Sequence, residues 1–415
     1  MSKGNREYSI VIWGASGFTG KLTAEYILGR YGVSDRFSWA LGGRNPAKLE
    51  KVRKEISETT GVAADALPLV VGDSDDDGFL TDLANRTDVV CTTVGPYAKY
   101  GSKLVAACAR AGTDYCDLTG EVQWMKRMID AHHEEAVQNN ARIVFTCGFD
   151  CIPSDIGAFF LHEEMRKKHG VPCSHIQFRV NGFSGAASGG TVASMLNMME
   201  EAKEDSSILS TLRAPYSINP PGQKSGPDSA ESVRPSYDDD FDQWIAPFVM
   251  GAVNTKVVRR SNALLNYAYG EGFRYDEAVL CGRGPAGFAK ATATGLGSAI
   301  GMGAMAVGPI RRFAAGRLPQ PGEGPSLEKR EAGFFDVSLL GHHPSDPSQN
   351  LKGRIRGDRD PGYGSTSKML GESAVCLAVD ELASGGGCLT PASAMGGALL
   401  SRLPAHAGVS FDLEG

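Results

Sequence analysis

Residues 8–20 read YSIVIWGASGFTG, an apolar strand pattern that runs directly into a glycine-rich turn. The turn places Gly14, Gly17 and Gly20 three residues apart. In dinucleotide-binding folds the first such glycine permits a tight turn, the second lets the backbone approach a pyrophosphate, and the third lets the next helix pack against the strand. An ordinary glycine-rich turn is the alternative. The strand patterns that follow favour the dinucleotide site.

Strand-like and helical patterns alternate from residue 8 to residue 147. Several strand patterns, such as SIVIW and DVVCTTV, are continuously apolar, which is typical of strands buried on both faces of a parallel sheet. The sequence therefore predicts an N-terminal Rossmann domain, with a doubly wound parallel sheet, over residues 1–150. Its predicted strands are Tyr8–Trp13, Phe37–Leu41, Leu67–Val71, Asp88–Val94, Thr113–Cys116 and Arg142–Cys147.

A second domain is predicted where the pattern changes, after Cys151. Strand-like runs at His175–Val180 and Phe334–Leu340 indicate a mixed α/β domain over residues 151–362. Residues 214–243 contain five prolines and many polar residues, so we expect a flexible loop there.

Residues 363–415 form the last predicted segment. Its clearest pattern is an amphipathic helix over Ser365–Leu382, which ends before the glycine run that starts at Gly385. We expect this C-terminal helix to return to the first domain and to pack on it.

The end of the second predicted strand indicates which dinucleotide binds. An NAD site places an acidic residue there to hold the ribose hydroxyls, but residues 41–45 read LGGRN. Arg44 suits a 2′-phosphate instead, because its guanidinium presents a fork of donors. A solvated charge near a helix start is the alternative for Arg44. We predict NADP(H), held by Gly14, Ala15, Ser16, Gly17, Phe18, Thr19, Gly20, Arg44, Asn45, Val94, Gly95 and Pro96.

Candidate catalytic residues follow the later strands, because ligands of doubly wound sheets bind at the carboxyl ends of the strands. Tyr97 follows the fourth predicted strand and Asp150 the sixth. A hydride transfer also needs a proton donor, and a phenol stays protonated near neutral pH. Tyr97 and Asp150 are therefore the predicted catalytic residues. Packing against the cofactor is the equal alternative for Tyr97, and a place near a helix start is the alternative for Asp150. Asp117 and Glu121 are expected to cap a helix.

The net charge of −6, without a Lys/Arg-rich run, argues against a nucleic-acid partner. No metal site is predicted, because the cysteines and histidines lack metal-ligand spacing. The polar start MSKGNREYS lacks the apolar segment of a signal peptide, so a cytoplasmic protein is expected. A homodimer is one option for its assembly.

Residues 291–310 are an uncharged run of about the length of a membrane span, but five of them are glycine. Three alternatives stay open for this run. It can be a buried or surface-lying segment, residues 285–312 can contact the inner face of the plasma membrane peripherally, or the run can span the membrane.

Four stretches carry a resemblance to the saccharopine dehydrogenase-like oxidoreductase family: GASGFTGKLTAEYI, LGGRNPAKL, TTVGPYAKYGSKLVAACARAGTDYCDLTGE and GFDCIPSD. Four later stretches resemble its mycobacterial trans-acting enoyl reductase branch: SGGTVASML, VRRSNALLNYAYG, DPGYGSTSKMLGESAVCLAVD and LTPASAMGGALLSRLP. The resemblance covers nearly the whole chain. It implies a Rossmann domain followed by a mixed α/β domain, and an NADPH-dependent reduction of an enoyl intermediate on a polyketide synthase that makes cell-envelope lipids.

Two other functions stay open at this point. An amino-acid dehydrogenase of the saccharopine type would need cationic clamps for several carboxylates, and Arg179, Arg259 and Arg260 are available. A cofactor-binding protein at a lipid surface, without a catalytic step, would bind NADPH tightly and turn over no acyl substrate. The resemblance favours the enoyl reductase.

Overall fold

The computed structural model describes the backbone of residues 4–33, 37–185, 189–230, 234–306 and 324–415, and the side chains of the same residues except 189–193 and 298–306. The first domain alternates strands and helices as predicted. Its elements up to residue 144 are, in chain order, β1 (Tyr8–Trp13), α1 (Phe18–Tyr31), β2 (Trp39–Gly43), α2 (Pro46–Thr60), β3 (Leu69–Val71), α3 (Asp77–Arg86), β4 (Thr87–Thr92), α4 (Tyr97–Tyr100), α5 (Ser102–Ala111), β5 (Asp114–Cys116), α6 (Val122–Gln138) and β6 (Arg142–Val144).

These six strands lie in the order β6-β5-β4-β1-β2-β3, and every neighbouring pair is parallel. The doubly wound parallel sheet of the predicted fold class is confirmed. The direction of winding reverses between β1 and β4, so the ligand crevice lies outside the carboxyl ends of these two strands.

β1 shows why the apolar runs form a parallel sheet. Successive side chains of a strand point to opposite faces. Ile10 and Ile12 lie in one apolar core, while Val11 and Trp13 lie in the other, and all four are almost completely buried. A strand that is apolar at every position is therefore stable only between two layers of helices.

The second domain is built on a mixed sheet. Its elements are α7 (Ile152–His169), β7 (His175–Ser184), α8 (Gly189–Glu204), α9 (Ser207–Arg213), β8 (Ser236–Asp238), β9 (Gln243–Pro247), α10 (Gly251–Leu264), β10 (Arg274–Gly282), α11 (Gly284–Ala306), α12 (Leu327–Glu331), β11 (Phe334–His342), a 3-10 turn (Pro347–Gln349) and β12 (Leu351–Gly357). β10 runs parallel to β7, and the other pairs are antiparallel. Phe178 and Leu339 of this sheet share one core with Ile12 of the first, so the two domains pack together.

The C-terminal segment contributes to both sheets. It contains α13 (Gly364–Val379), β13 (Gly387–Leu389), α14 (Pro391–Arg402), a π-helical turn (Leu403–Ala407) and β14 (Val409–Glu414). α13 packs on α1, where its buried Glu372 accepts hydrogen bonds of 2.6 Å from the hydroxyls of Tyr26 and Tyr31. The predicted return of this helix to the first domain is confirmed. β13 extends the first sheet beside β6, whereas β14 pairs with β12 of the second sheet.

Residues 214–235, the larger part of the predicted loop, form no helix or strand among the residues that the structure describes. Ile218 is buried, and its carbonyl accepts a hydrogen bond from Arg260. Asp228 forms a 2.7 Å ion pair with the buried Arg259. Two arginines of α10 therefore anchor the described part of this loop, which excludes residues 231–233.

α11 covers most of the uncharged run singled out in the sequence. It packs on β9 and β10 through the small residues Gly287 and Ala291 and leaves Phe288 and Leu296 about half exposed. None of the helices that the structure describes combines the length and apolar character needed to cross a membrane. Residues 307–312, the end of the segment considered for membrane contact, lie outside the described residues.

Candidate cofactor and active site

The glycine turn joins β1 to α1 as predicted. Gly14 has a φ of +91°, a conformation that side chains disfavour. The N–H groups of Gly14 and Ala15 both donate to the Gly42 carbonyl at 3.0 Å, and Gly17 N–H donates to the Gly14 carbonyl at 2.9 Å. α1 then begins at Phe18 without a side-chain cap. Its first N–H groups are thus suited to an anion such as a pyrophosphate.

Two of these glycines lie where a side chain would collide with the backbone or with β4. A Cβ on Gly20 would lie 2.2 Å from the Gly14 carbonyl oxygen. A Cβ on Gly14 would lie 2.7 Å from Cγ2 of Val94 and 2.9 Å from Oγ1 of Thr93. The turn and the end of β4 therefore approach each other at close range. This narrow cradle, with an uncapped helix start, fits the pyrophosphate of a dinucleotide.

The end of β2 carries the residues predicted to read the 2′-phosphate. Arg44 is exposed, and its guanidinium pairs with no carboxylate in the part of the chain that the structure describes. The Ser16 hydroxyl lies close by, 3.5 Å from where a Cβ on Gly43 would stand. Asn45 instead caps α2, since its side-chain oxygen accepts a 3.0 Å hydrogen bond from Lys48 N–H. An exposed guanidinium and a hydroxyl, both near the end of β2, are donors that suit a phosphate.

Replacing Arg44 with alanine is expected to weaken NADPH binding by roughly 10- to 100-fold, because hydrogen bonds to a charged group are lost. NADH, which has no 2′-phosphate, should bind the variant as it binds the unaltered chain. Titration calorimetry with both nucleotides measures the two affinities. Lys54→Ala is the matched control, because Lys54 lies exposed on α2, the helix that follows Arg44, and among the described residues it pairs with Glu58. Equal losses for NADPH and NADH would contradict the role of Arg44.

The loop after β4 holds the other predicted cofactor residues. Thr93 N–H donates to the Trp13 carbonyl at 3.0 Å, so β1 and β4 stay paired up to the crevice. The peptide bond between Gly95 and Pro96 is cis. Val94 and Pro96 are partly buried and Gly95 is exposed, at the edge where the glycine turn of β1 ends. The structure thus brings this loop and the glycine turn together.

Tyr97 is buried, and its hydroxyl is engaged by the backbone. It donates to the Thr92 carbonyl at 3.3 Å and accepts from Leu118 N–H at 3.2 Å. Its ring packs on Trp124, with 5.5 Å between the centroids. Burial and the nearby Asp117 carboxylate raise the pKa of the Tyr97 phenol well above its ordinary value. The phenol keeps its proton, but that proton already has an acceptor inside the fold.

Asp150 differs from Tyr97, because its side chain has no hydrogen-bond partner among the residues that the structure describes. Its carboxylate is partly buried, lies 3.9 Å from where a Cβ on Gly120 would stand, and accepts no hydrogen bond from any described residue. The neighbouring Phe149 N–H is held by the Thr366 hydroxyl at 2.9 Å, which fixes the backbone at this point. Burial raises the pKa of the Asp150 carboxyl to about 6. Such a group can carry a proton near neutral pH and give it up.

Asp117 and Glu121, which were expected to cap a helix, behave differently from each other. Asp117 accepts hydrogen bonds from the Tyr115 hydroxyl and from the N–H groups of Thr119 and Thr146. Burial raises its pKa to about 7. These three hydrogen bonds indicate that Asp117 has a structural role, since they hold together the segments that follow β5 and β6.

Glu121 binds the start of α4 rather than the helix that follows it. One oxygen accepts from Tyr97 N–H at 2.8 Å, and the other accepts from Ala98 N–H at 2.9 Å. The Ser194 hydroxyl on α8 donates to the same carboxylate at 2.7 Å. Glu121 therefore ties the loop after β4 to the second domain. Sequence reasoning missed this contact, because Ser194 lies far along the chain in a helix with no distinctive local pattern.

Comparison with known proteins places this arrangement in a family. The family model described as the saccharopine dehydrogenase NADP-binding domain matches residues 10–144. A trans-acting enoyl reductase of Mycobacterium ulcerans is 38% identical to this chain, covering 97% of both chains. A Mycobacterium tuberculosis chain, named provisionally as a trans-acting enoyl reductase, is 41% identical over 99% of this chain and 98% of its own. This chain belongs to the saccharopine dehydrogenase-like oxidoreductase family.

Membership of the saccharopine dehydrogenase-like family makes this chain an oxidoreductase that uses NADP(H). The matched residues 10–144 include every residue predicted here to hold the cofactor, from Gly14 to Pro96. Among solved structures, a saccharopine dehydrogenase of Saccharomyces cerevisiae has a TM-score of 0.51 with 13% identity, covering 98% of this chain and 99% of its own. That likeness concerns the fold alone, and it supports the same two-domain architecture.

Proposed function

We propose that the chain is an NADPH-dependent trans-acting enoyl reductase. It reduces the double bond between C2 and C3 of a long acyl thioester, carried by a polyketide synthase that makes cell-envelope lipids. The observation that carries this proposal is the identity of 38–41% to relatives of that name, which runs through both domains. The substrate on its carrier protein then binds at the crevice outside the carboxyl ends of β1 and β4.

The chemistry divides between the cofactor and the chain. Bound NADPH supplies a hydride for C3 of the enoyl thioester. The chain must exclude water, orient the thioester and give a proton to C2. Asp150 is the proposed donor, because its carboxyl has a pKa of about 6 and no partner among the described residues. Tyr97 is the second candidate, and its hydroxyl is engaged with Thr92 and Leu118.

The arginines considered for a saccharopine-type site are used inside the fold. Arg179 pairs with Asp238 and Asp276 at 2.6 Å, and its side chain is almost fully buried. Arg259 pairs with Asp228, and Arg260 donates to the carbonyls of Ile218 and Cys388. Guanidiniums with these partners cannot also clamp the carboxylates of an amino-acid substrate. Their engagement favours an uncharged acyl substrate.

Oxidation of NADPH by the purified chain tests the function. A long-chain 2-enoyl thioester should be reduced, both free and on a carrier protein, whereas saccharopine with NADP⁺ should not react. Turnover of saccharopine would show that the chain is an amino-acid dehydrogenase and would contradict the proposal. NADPH binding without turnover of any enoyl thioester, including the carrier-bound form, would indicate a cofactor-binding protein without a catalytic step.

We further propose a cytoplasmic protein that contacts the inner face of the plasma membrane through residues 285–312. In the described part of this segment, Phe288 and Leu296 are about half exposed, and the Phe288 ring packs on Trp244 at 4.8 Å. Exposed apolar and aromatic groups on one helix suit a lipid interface. A homodimer through the same face is the second candidate, because a second copy would also cover these side chains.

Replacing Phe288 and Leu296 together with serine is expected to abolish most of the binding to anionic lipid vesicles, measured by co-sedimentation. NADPH affinity should stay unchanged, because both residues lie on the second domain. Sedimentation velocity separates the two candidates. The unaltered chain could sediment as a dimer that the double substitution dissociates, while neither protein binds vesicles. That result would show that this face contacts a second copy of the chain instead of a membrane.

A further inference from the structure

Three phenylalanines connect the second sheet with the candidate proton donor. Phe183 of β7 and Phe335 of β11 are direct partners in the antiparallel register, so their side chains lie on the same face of the sheet. The Phe335 ring packs on Phe149 of the first domain, with 5.0 Å between the centroids and 62° between the planes. Phe149 directly precedes Asp150. Phe183 therefore lies on the sheet face that meets the first domain beside Asp150.

The exposure of these rings differs along the group. Phe335 is 1% exposed and Phe149 is partly buried, whereas Phe183 is 49% exposed. Phe183 is thus the open end of an apolar surface whose other end lies next to Asp150. Ligand pockets are lined mostly by hydrophobic and aromatic side chains, so an exposed ring on the sheet face that carries Phe335 suits an apolar ligand.

We propose that Phe183 is a specificity-determining residue that binds the apolar acyl chain of the substrate. This inference rests on the proposed enoyl reduction and deepens it. The residues that flank Phe183, from Asn181 to Gly185, carry no charge. An apolar chain gains free energy on such a surface with each methylene that it removes from water.

Binding of saturated acyl thioesters tests Phe183 without any turnover. The butyryl and dodecanoyl thioesters of coenzyme A are titrated into the NADP⁺-loaded protein by calorimetry. The unaltered chain should bind the dodecanoyl thioester at least about tenfold more tightly than the butyryl thioester. Phe183→Ser should remove most of this difference and leave butyryl binding unchanged. Phe183→Leu, which keeps an apolar side chain, should keep most of it.

Phe334→Ser is the matched control. Phe334 is 47% exposed, close to the value for Phe183, but it precedes Phe335 in β11 and so points to the opposite face of the sheet. This variant should keep the full preference for the longer chain. The proposal is overturned if the two serine variants behave alike, or if the unaltered chain shows no preference for the longer thioester.

Two further results have distinct meanings. A loss of NADP⁺ affinity in Phe183→Ser would overturn the proposal, because the ring would then contact the nicotinamide half of the cofactor rather than the acyl chain. A chain-length preference that depends on Phe183, in a protein that reduces no enoyl thioester, would contradict the proposed function. The acyl-binding role of Phe183 would stand in that case.

Discussion

Replacing Asp150 with asparagine is expected to lower kcat by roughly 10²- to 10⁴-fold, the range over which a positioned general acid contributes. The NADPH affinity should stay unchanged, because Asp150 lies outside the cradle formed by the glycine turn. The free energy of unfolding at neutral pH should not fall, because the neutral amide avoids the cost of burying an ionised carboxylate. The Asp150 carboxylate accepts no hydrogen bond from any described residue, so the amide leaves no donor unpaired.

The direction in which kcat changes with pH distinguishes a proton donor from a base at Asp150. Burial raises the pKa of the Asp150 carboxyl to about 6, so the group is protonated below that pH and ionised above it. A proton donor must be protonated, so kcat should fall about tenfold per pH unit once the pH rises above about 6. In Asp150→Asn the small remaining activity should lose this dependence. A kcat that instead rises through pH 6 would make Asp150 a base.

Tyr97→Phe is the comparison that separates the two candidate donors. The Tyr97 hydroxyl binds the Thr92 carbonyl and Leu118 N–H, so its removal should cost about 1 kcal/mol of stability. We expect kcat to stay within a few-fold of the unaltered value. If Tyr97→Phe loses activity while Asp150→Asn retains it, and both bind NADPH normally, the assignment of the donor is reversed.

Replacing Gly20 with alanine is expected to weaken NADPH binding by at least about 100-fold. The new Cβ would lie 2.2 Å from the Gly14 carbonyl oxygen and 2.8 Å from Thr93 Oγ1. α1 can accept this methyl group only by moving away from β1, and the first-turn N–H groups then leave the positions suited to a pyrophosphate. The same displacement should lower the free energy of unfolding by about 1–3 kcal/mol.

Gly29→Ala is the matched control for Gly20, since both glycines lie in α1. Among the described residues, a Cβ on Gly29 would approach the Thr60 side chain alone, with Cγ2 at 3.4 Å and Cβ at 3.8 Å, which are ordinary contacts. Alanine in a helix is favoured over glycine by about 1 kcal/mol, so this variant should be slightly more stable and bind NADPH normally. Normal NADPH affinity in Gly20→Ala, measured beside this control, would show that the turn does not hold the cofactor.

The first domain could be predicted from local sequence because its signals are local. The strand from Tyr8 to Trp13 is apolar at every position, the glycines follow at once, and Arg44 stands at the end of the next strand. Each of these features depends on a few adjacent residues. β13 has no comparable signal, because three residues after a glycine run become a strand only by pairing with β6.

The site could be predicted only in part, because many of its contacts join residues that are far apart in the chain. The sequence places Asp150 and Tyr97 after strands. It cannot show that the Tyr97 hydroxyl is hydrogen-bonded, whereas no described residue donates to the Asp150 carboxylate. The contact between Glu121 and Ser194, and the register that pairs Phe183 with Phe335, join residues that are far apart in the chain. The composition of the proline-rich loop likewise cannot show that Arg260 and Arg259 of α10 bind Ile218 and Asp228.

The fate of two hydrogens in the product tests the central claim most directly. NADPH that carries deuterium at C4 of its nicotinamide is incubated with the chain and a carrier-bound long-chain 2-enoyl thioester, and the product is analysed by mass spectrometry and NMR. Enoyl reduction predicts the nicotinamide deuterium at C3 of a saturated thioester, and a solvent deuterium at C2 when the reaction is run in D₂O. Deuterium on a carbon that bears oxygen or nitrogen, or no transfer to C3, would contradict the account.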